Sequence, residues 1–436
     1  MTIGKRVSQR TRGVKAKTTL LCGFLSLAIV LMAVLGWIIP AFTQQVVTVS
    51  VLMHAPEAAE WKPSVEEFHQ THPNIRIEVI EGPNDADQRE DLYTSSFLLG
   101  NSPYDLVFMD VTWASKFAAA GWLMDLSDRL SPERLSAFLE GDVNGGRYQG
   151  KLYRIPLRSD AGMLYYRKDL LERAGYAPPE TFAELVEISR SLQQQGLVDW
   201  GYLWQGKQYE GLSAMFVEIL KGYGGFWVDP QTLEVGLDRP EAIQAVQFLR
   251  STIEKGISPP GTTTYTEEET RLLFQNGKAI FLRNWPYVFS LAAQEGSAII
   301  GKYGIKPMVH APGRDSGACQ GGWGLGIAKT SQHPDEAWKV IEFLTSEEIQ
   351  RKFILATGKV PSLKSLFNDP TVVAKYPHYP QLLEVIENAA LRPPIAQYAQ
   401  ASDILQRYLS AAIANRISPE KAMKAAADET RRLLNR

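Results

Sequence analysis

Between residues 46 and 110 the sequence changes hydrophobic period four times, and this alternation restricts the fold more than any other feature. Val46-Val-Thr-Val-Ser-Val-Leu-Met53 is rich in β-branched residues and predicts a strand. Residues 57–70 predict a helix with Trp61, Val65 and Phe68 on one side, stopped before Pro73. Ile75-Arg-Ile-Glu-Val-Ile80 alternates with period two, residues 87–99 return to a helical pattern, and Asp105-Leu-Val-Phe-Met-Asp110 is a short buried strand. Strand, helix, strand, helix, strand predicts an α/β lobe built on a parallel sheet with right-handed crossovers. Ligands of such sheets bind beyond the carboxyl ends of the strands. Glu57 follows the first strand and Asp110 closes the third, so both acids are expected on one rim.

A second constraint lies in the stretch Gly150-Lys-Leu-Tyr-Arg-Ile-Pro-Leu-Arg-Ser-Asp-Ala-Gly-Met-Leu-Tyr-Tyr-Arg-Lys-Asp-Leu170. Met163 to Tyr166 reads as a buried strand, and Asp160 stands just before it, where the chain leaves one lobe for another. A carboxylate at such a crossover is expected to face a cleft. Helical patterns then dominate over residues 181–195, 210–221, 239–255 and 266–276, with a strand-like segment at 303–309 and an amphipathic helix at 334–344. No floppy linker or repeat interrupts this course, which predicts a hinge of two or three strands. The expected lobes are residues 44–158 with 306–344, and residues 159–305 with 345–436.

The first 43 residues differ in kind. Lys5, Arg6, Arg10, Arg12, Lys15 and Lys17 precede an apolar run from Leu20 to Phe42, with no acid before it. A basic flank stays on the cytoplasmic side, so the remainder is expected to be exported. The run is long enough to span a bilayer, and it predicts either a membrane anchor or a signal peptide cleaved after it. Cys22 opens the apolar run and follows Leu20-Leu21, which argues against a lipid-attachment cysteine. Cys319 is then the one remaining thiol, so no internal disulfide is expected. Once the basic N-terminus is set aside the rest of the chain is net acidic, which speaks against nucleic acid as a main partner. The six histidines fall into no metal-ligand spacing with Cys or Glu, so no metal is expected.

All ten tryptophans except Trp37 follow this segment. Indoles in loops are either packed or positioned for a flat apolar ligand face. Sugars offer such faces, and their hydroxyls suit carboxylates and arginine. Trp285 in Asn-Trp-Pro and Trp323 in Gly-Gly-Trp-Gly are the stacking candidates, whereas Trp338 reads as core. The Gly321–Gly326 run matches neither the dinucleotide fingerprint nor the P-loop, and reads as backbone turning beside a ligand. Paired acids across a sugar would also suit glycoside hydrolysis, but no nucleophile–base arrangement stands out.

In order and spacing, several segments make the chain resemble the extracellular solute-binding proteins of ABC importers, in the maltose/trehalose-binding family. They are Tyr104-Asp-Leu-Val-Phe-Met-Asp110, Ala118-Ala-Ala-Gly-Trp-Leu-Met-Asp-Leu126, Asp160-Ala-Gly-Met-Leu-Tyr-Tyr-Arg-Lys-Asp-Leu-Leu171, Gln205-Gly-Lys-Gln-Tyr-Glu-Gly-Leu212, Gly277-Lys-Ala-Ile-Phe-Leu-Arg-Asn-Trp-Pro286, Gly321-Gly-Trp323 and Leu391-Arg-Pro-Pro394. The resemblance implies a two-lobed periplasmic-binding-protein fold of type II kind, closing on a hinge over a sugar in the interlobe cleft. It implies that Glu57, Asp110 and Asp160 accept sugar hydroxyls, that Trp285 and Trp323 stack, and that Arg392 donates from the second lobe. Tyr209 and Glu210 are further ligand-binding candidates, at a helix start that also suits capping. The implied ligand is a disaccharide or small α-glucoside of trehalose, maltose, sucrose or glucosylglycerol type. The implied partners are permease subunits with their ATPase, so the chain needs no cofactor and performs no catalysis. Relatives often carry an aromatic two residues before the Asp160 position, where this chain has Arg158. A membrane-tethered sugar sensor or lectin is the second reading.

Overall fold

The computed structural model describes residues 46–387 and 389–435. The apolar run at 20–42, expected to anchor or target the chain, lies outside them; among the described residues no helix is long and apolar enough to cross a membrane.

The chain opens with β1 (Val47–His54), α1 (Ala55–Thr71), β2 (Ile75–Gly82), α2 (Ala86–Leu98) and β3 (Leu106–Asp110), the alternation expected from the period changes. α3 (Trp113–Ala119) and α4 (Glu140–Asn144) follow, then a small hairpin of β4 (Arg147–Tyr148) and β5 (Lys151–Leu152), and β6 (Ile155–Ala161). The first sheet has the order β2-β1-β3-β11-β6, where β11 (Gln320–Ile327) arrives from much later in the chain. β1 and β3 are parallel, as expected, whereas β11 runs antiparallel to both β3 and β6. Tyr93 of α2 is fully buried and pins this sheet: its hydroxyl donates to the Leu52 carbonyl at 2.8 Å and accepts from the Phe108 amide at 3.1 Å.

At Gly162 the chain passes straight from the first sheet into the second, beginning with β7 (Met163–Arg167). α5 (Phe182–Gln194) starts on a reciprocal cap between Thr181 and Glu184, a sequence-coded start signal. β8 (Trp200–Leu203), α6 (Glu210–Gly222), α7 (Pro240–Glu254), α8 (Glu267–Gln275), β9 (Ala279–Asn284) and β10 (Tyr303–Lys306) follow, and the second sheet has the order β10-β7-β9-β8. Its core includes Trp204 and Trp227; the Trp204 indole N–H is satisfied by Thr252 at 3.1 Å and Ser258 at 3.0 Å. After β11 come α9 (Pro334–Leu344), α10 (Glu347–Thr357) and α11 (Tyr379–Glu387), then α12 (Tyr398–Ile413) and α13 (Pro419–Leu434), which pack on the second lobe with α6 and α7. Trp338 of α9 is buried, as its helical spacing predicts.

The lobe boundaries differ from those expected. Residues 159–161 pair with β11 and stay in the first sheet, so the first crossing is at Gly162, not after 158. Met308 and Val309 pack in the core of the second lobe, which delays the return from 306 to the start of β11. Residues 345–387 also belong with the first lobe: α10 packs on α1, and Ser362 and Gln350 bond the β6 carbonyls of Pro156 and Leu157, each at 3.1 Å. Helical periodicity identifies these helices but carries no information on which sheet they cover. The final crossing is at Ala390, whose amide donates to the Ala318 carbonyl at 2.9 Å while its own carbonyl accepts from Gln320 at 2.8 Å. Three strands of chain therefore cross side by side, at Gly162, Cys319 and Ala390.

Candidate functional site

Strand register accounts for most of the site. Trp323 lies opposite Asp110 on one side and Arg158 on the other, and Gly321 lies opposite Asp160. Residues two apart in a strand share a face, so Asp110, Trp323, Arg158 and Asp160 form a patch on one side of the first sheet. α1 adds Glu57 from its first turn, beside the carboxyl end of β1, where the helix N-terminus favours an acid.

Glu57 has no solvent exposure. Its Oε1 accepts from the Trp61 indole at 3.0 Å and from Arg158 Nε at 3.1 Å; its Oε2 accepts from Arg158 Nη2 at 3.2 Å and Lys359 Nζ at 2.8 Å. Burial alone would raise its pKa, but Arg158 and Lys359 hold the carboxyl well below the usual range. His54, nearby, is pushed down to about 3 by burial and is neutral at physiological pH. Lys359 also pairs with Glu60, and Arg158 Nη1 pairs with Asp160. Asp160 keeps 13% of its side chain exposed, and burial raises its pKa against the opposing pull of Arg158 and Lys359.

Across the crossover stands Trp285. A side-chain carbon at Gly321 would lie 3.1 Å from both the Asp160 Cβ and the Trp285 ring, so these residues from the two lobes converge on one glycine. The Trp285 indole is half-buried, with the Arg283 guanidinium 4.2 Å from its ring centroid and Nε1 donating to Glu267 Oε1 at 3.3 Å. Glu267 also accepts from the Tyr209 hydroxyl at 2.6 Å. Tyr209 is thus joined to Trp285 through one carboxylate at the N-terminus of α8, and the reciprocal cap between Thr266 and Glu269 fixes that helix start.

Arg392, just past the third crossing, links the lobes directly. Its Nη2 donates to Asp110 Oδ1 at 2.9 Å and its Nη1 to Glu210 Oε1 at 2.6 Å. Glu210, opening α6, is further held by the Tyr398 hydroxyl and by Ser402 Oγ at 2.6 Å. Asp87 of α2 faces Glu210 from the first lobe; burial, with Glu210, Asp85 and Glu90 nearby, pushes its carboxyl up to about 7. α3 and α12 touch across the same gap. The two lobes thus touch at this junction.

The acids and the arginine expected at the site lie at this junction: Asp160 stays partly open, whereas Glu57 is paired with Arg158, and Asp110 and Glu210 with Arg392. Trp323 is 9% exposed, its ring stacked on Phe108 at 4.8 Å and covered by Arg89 at 4.8 Å, so it builds the wall instead of offering a free platform. It is drawn in because β11 is a central strand, buried along its whole length. Glu57 is withdrawn behind Arg158, and Glu210 and Asp110 are engaged by Arg392. Sequence reasoning missed Arg158 as the counter-ion, together with Lys359 and Glu267. The first could have been read from its period-two relation to Asp160. Lys359 carries no such signal.

The model of the bacterial extracellular solute-binding protein family matches residues 54–351. A probable ABC transporter-binding protein of Deinococcus radiodurans is 31% identical over 83% of this chain and 87% of its own length. Maltose-bound MalE3 of T. maritima is 39% identical with a TM-score of 0.84, covering 89% of this chain and all of its own. A solute-binding protein of an ABC transporter from Thermotoga lettingae, bound with α-D-tagatose, is 24% identical with a TM-score of 0.80 and shares the fold.

Proposed function

The chain belongs to the bacterial extracellular solute-binding protein family, and on that premise we propose that it is the sugar-binding component of an ABC importer. Its ligand is a disaccharide or small α-glucoside of trehalose, maltose, sucrose or glucosylglycerol type, held between the lobes. The observation that carries this reading is the meeting of Asp160 and Trp285 at Gly321, one from each side of the hinge. A carboxylate beside a half-buried indole pairs a hydroxyl acceptor with an apolar plate, which is the chemistry of a pyranose. The maltose held by the T. maritima relative supports the same ligand class.

The mechanism is capture without chemistry. A ligand that touches both lobes binds the closed form better than the open one and shifts the population towards it. Arg392, already spanning Asp110 and Glu210, gives closure a built-in ionic partner. The closed form then docks on permease subunits served by an ATPase, on the outer side of the membrane to which residues 20–42 target or anchor the chain.

Titration calorimetry and tryptophan fluorescence against trehalose, maltose, sucrose and glucosylglycerol test this. One of these sugars is expected to give saturable binding with no product formed. Asp160→Asn is expected to weaken it by about tenfold or more, the loss of a charge-assisted hydrogen bond. Product formation, or no response to any of the sugars, would count against the reading.

A further inference from the structure

We propose that Arg158 is a positioning residue that sets the specificity of the cleft: its guanidinium spans Glu57 and Asp160, masks the first from the cleft and presents the second to the ligand. The inference rests on the sugar-binding reading and deepens it. Arg158 is directly opposite Trp323 in the sheet, and its planar fork reaches both oxygens of Glu57, at 3.1 and 3.2 Å, and one oxygen of Asp160. Glu57 has no exposure, Arg158 is 8% exposed and Asp160 is the acid that remains partly open. Arg158 thereby leaves one oriented carboxylate, Asp160, open to the ligand. The charge balance around it is close. Around the Arg158 guanidinium stand Glu57 and Glu60 of α1, Arg89 of α2, Arg154 just before β6, and His54. Around Asp160 itself stand Glu57, Asp142 of α4, Lys359 of the segment after α10, Tyr165 and Tyr379. Two consequences follow from removing the one cation that touches both acids. Asp160 loses its main counter-charge and takes up a proton at higher pH, and the patch turns net acidic and accepts cationic sugars.

The test uses the full-length protein and three probes: maltose, trehalose and 2-amino-trehalose, titrated from pH 5 to pH 8. Arg158→Gln is expected to bind the neutral sugars about tenfold more weakly at pH 7. The midpoint of its binding-versus-pH profile should lie above the wild type's, and its preference should shift towards the amino sugar. Arg158→Lys keeps the charge without the fork, and is expected to recover the pH midpoint but only part of the affinity. Should Arg158→Gln fail to fold, the Arg158→Lys comparison decides alone. Wild-type affinity in that variant, or an unmoved pH midpoint in Arg158→Gln, overturns the inference while leaving sugar binding intact. A wild-type protein that binds none of the neutral sugars overturns the sugar reading, and this inference with it.

Discussion

Arg283 has no solvent exposure, and neither has Glu218, to which its Nε donates at 2.7 Å and its Nη2 donates as well. Two charges removed from water repay their desolvation only if the remaining hydrogen-bonding groups are also satisfied. Here Arg283 Nη1 donates to Gln205 at 3.2 Å, and the Cys319 amide donates to Glu218 at 3.3 Å. The pair lies directly beneath two of the three crossings, since Gly162 sits over both side chains. Burial raises the Glu218 pKa, and Arg283 opposes that rise. Arg283→Met is therefore expected to cost about 3–5 kcal/mol at pH 8, the usual loss when a buried ion loses its partner. In that variant the folded-state pKa of Glu218 lies further above its unfolded value of about 4.3. A group raised in this way stabilises the fold below its unfolded pKa, and the contribution is lost as pH rises through the folded pKa. Urea unfolding should thus find a smaller deficit, relative to wild type, at pH 5 than at pH 8. Equal deficits would mean that Glu218 is not the group left exposed to the loss.

At the scale of elements, the crossing from β6 to β7 takes a single residue, and only glycine fits there. A methyl group at Gly162 would meet the Glu218 carboxylate and the Arg283 guanidinium, held rigid by each other. Gly162→Ala is expected to destabilise the protein by about 1–3 kcal/mol, the cost of overpacking, read as a lower urea midpoint. An unchanged midpoint would mean that the crossing strands can separate freely from the pair below. This crossing was legible in the sequence to within three residues, because the Met163–Tyr166 strand and the run of polar residues before it mark a change of environment. The β1–α1–β2–α2–β3 run was legible for the same reason: period alone distinguishes a pleated face from a helical one. The antiparallel insertion of β11 was not, since its glycines hide any alternation and both its partners lie far earlier in the chain. Neither was the pairing of Lys359 with Glu57, nor the packing of α10 and α11 on the first lobe. Such contacts depend on which surfaces tertiary folding brings together, and local pattern carries no record of it.

For the whole molecule, the question is what holds two lobes closed when each has a core of its own. Arg392, 3% exposed at the side chain, is the charge shared between them, with Asp110 on one side and Glu210 on the other. Without it the two carboxylates face one another uncompensated, whereas in an open form each would be hydrated. Arg392→Ala is expected to disfavour the closed form by about 2–5 kcal/mol, the range for truncating one member of a buried charged pair. A bias of that size moves a two-state equilibrium by more than an order of magnitude. Small-angle scattering should show the wild type contracting on addition of a sugar that binds, and the variant remaining expanded at the same concentration. Acid acts on the same equilibrium through Asp87, whose carboxyl is pushed up to about 7 by burial first, with Glu210, Asp85 and Glu90 adding to the rise; parting the lobes is expected to hydrate it and remove Glu210, and so to lower its pKa. The closed form then binds the proton more tightly, so closure is favoured below about pH 7 and weakens as pH rises through that value. Contraction at pH 6 should therefore need less sugar than at pH 8, and Asp87→Asn should flatten the difference. A variant lacking Arg392 that contracts as fully as the wild type, at both pH values, would show that closure is held by apolar contact alone.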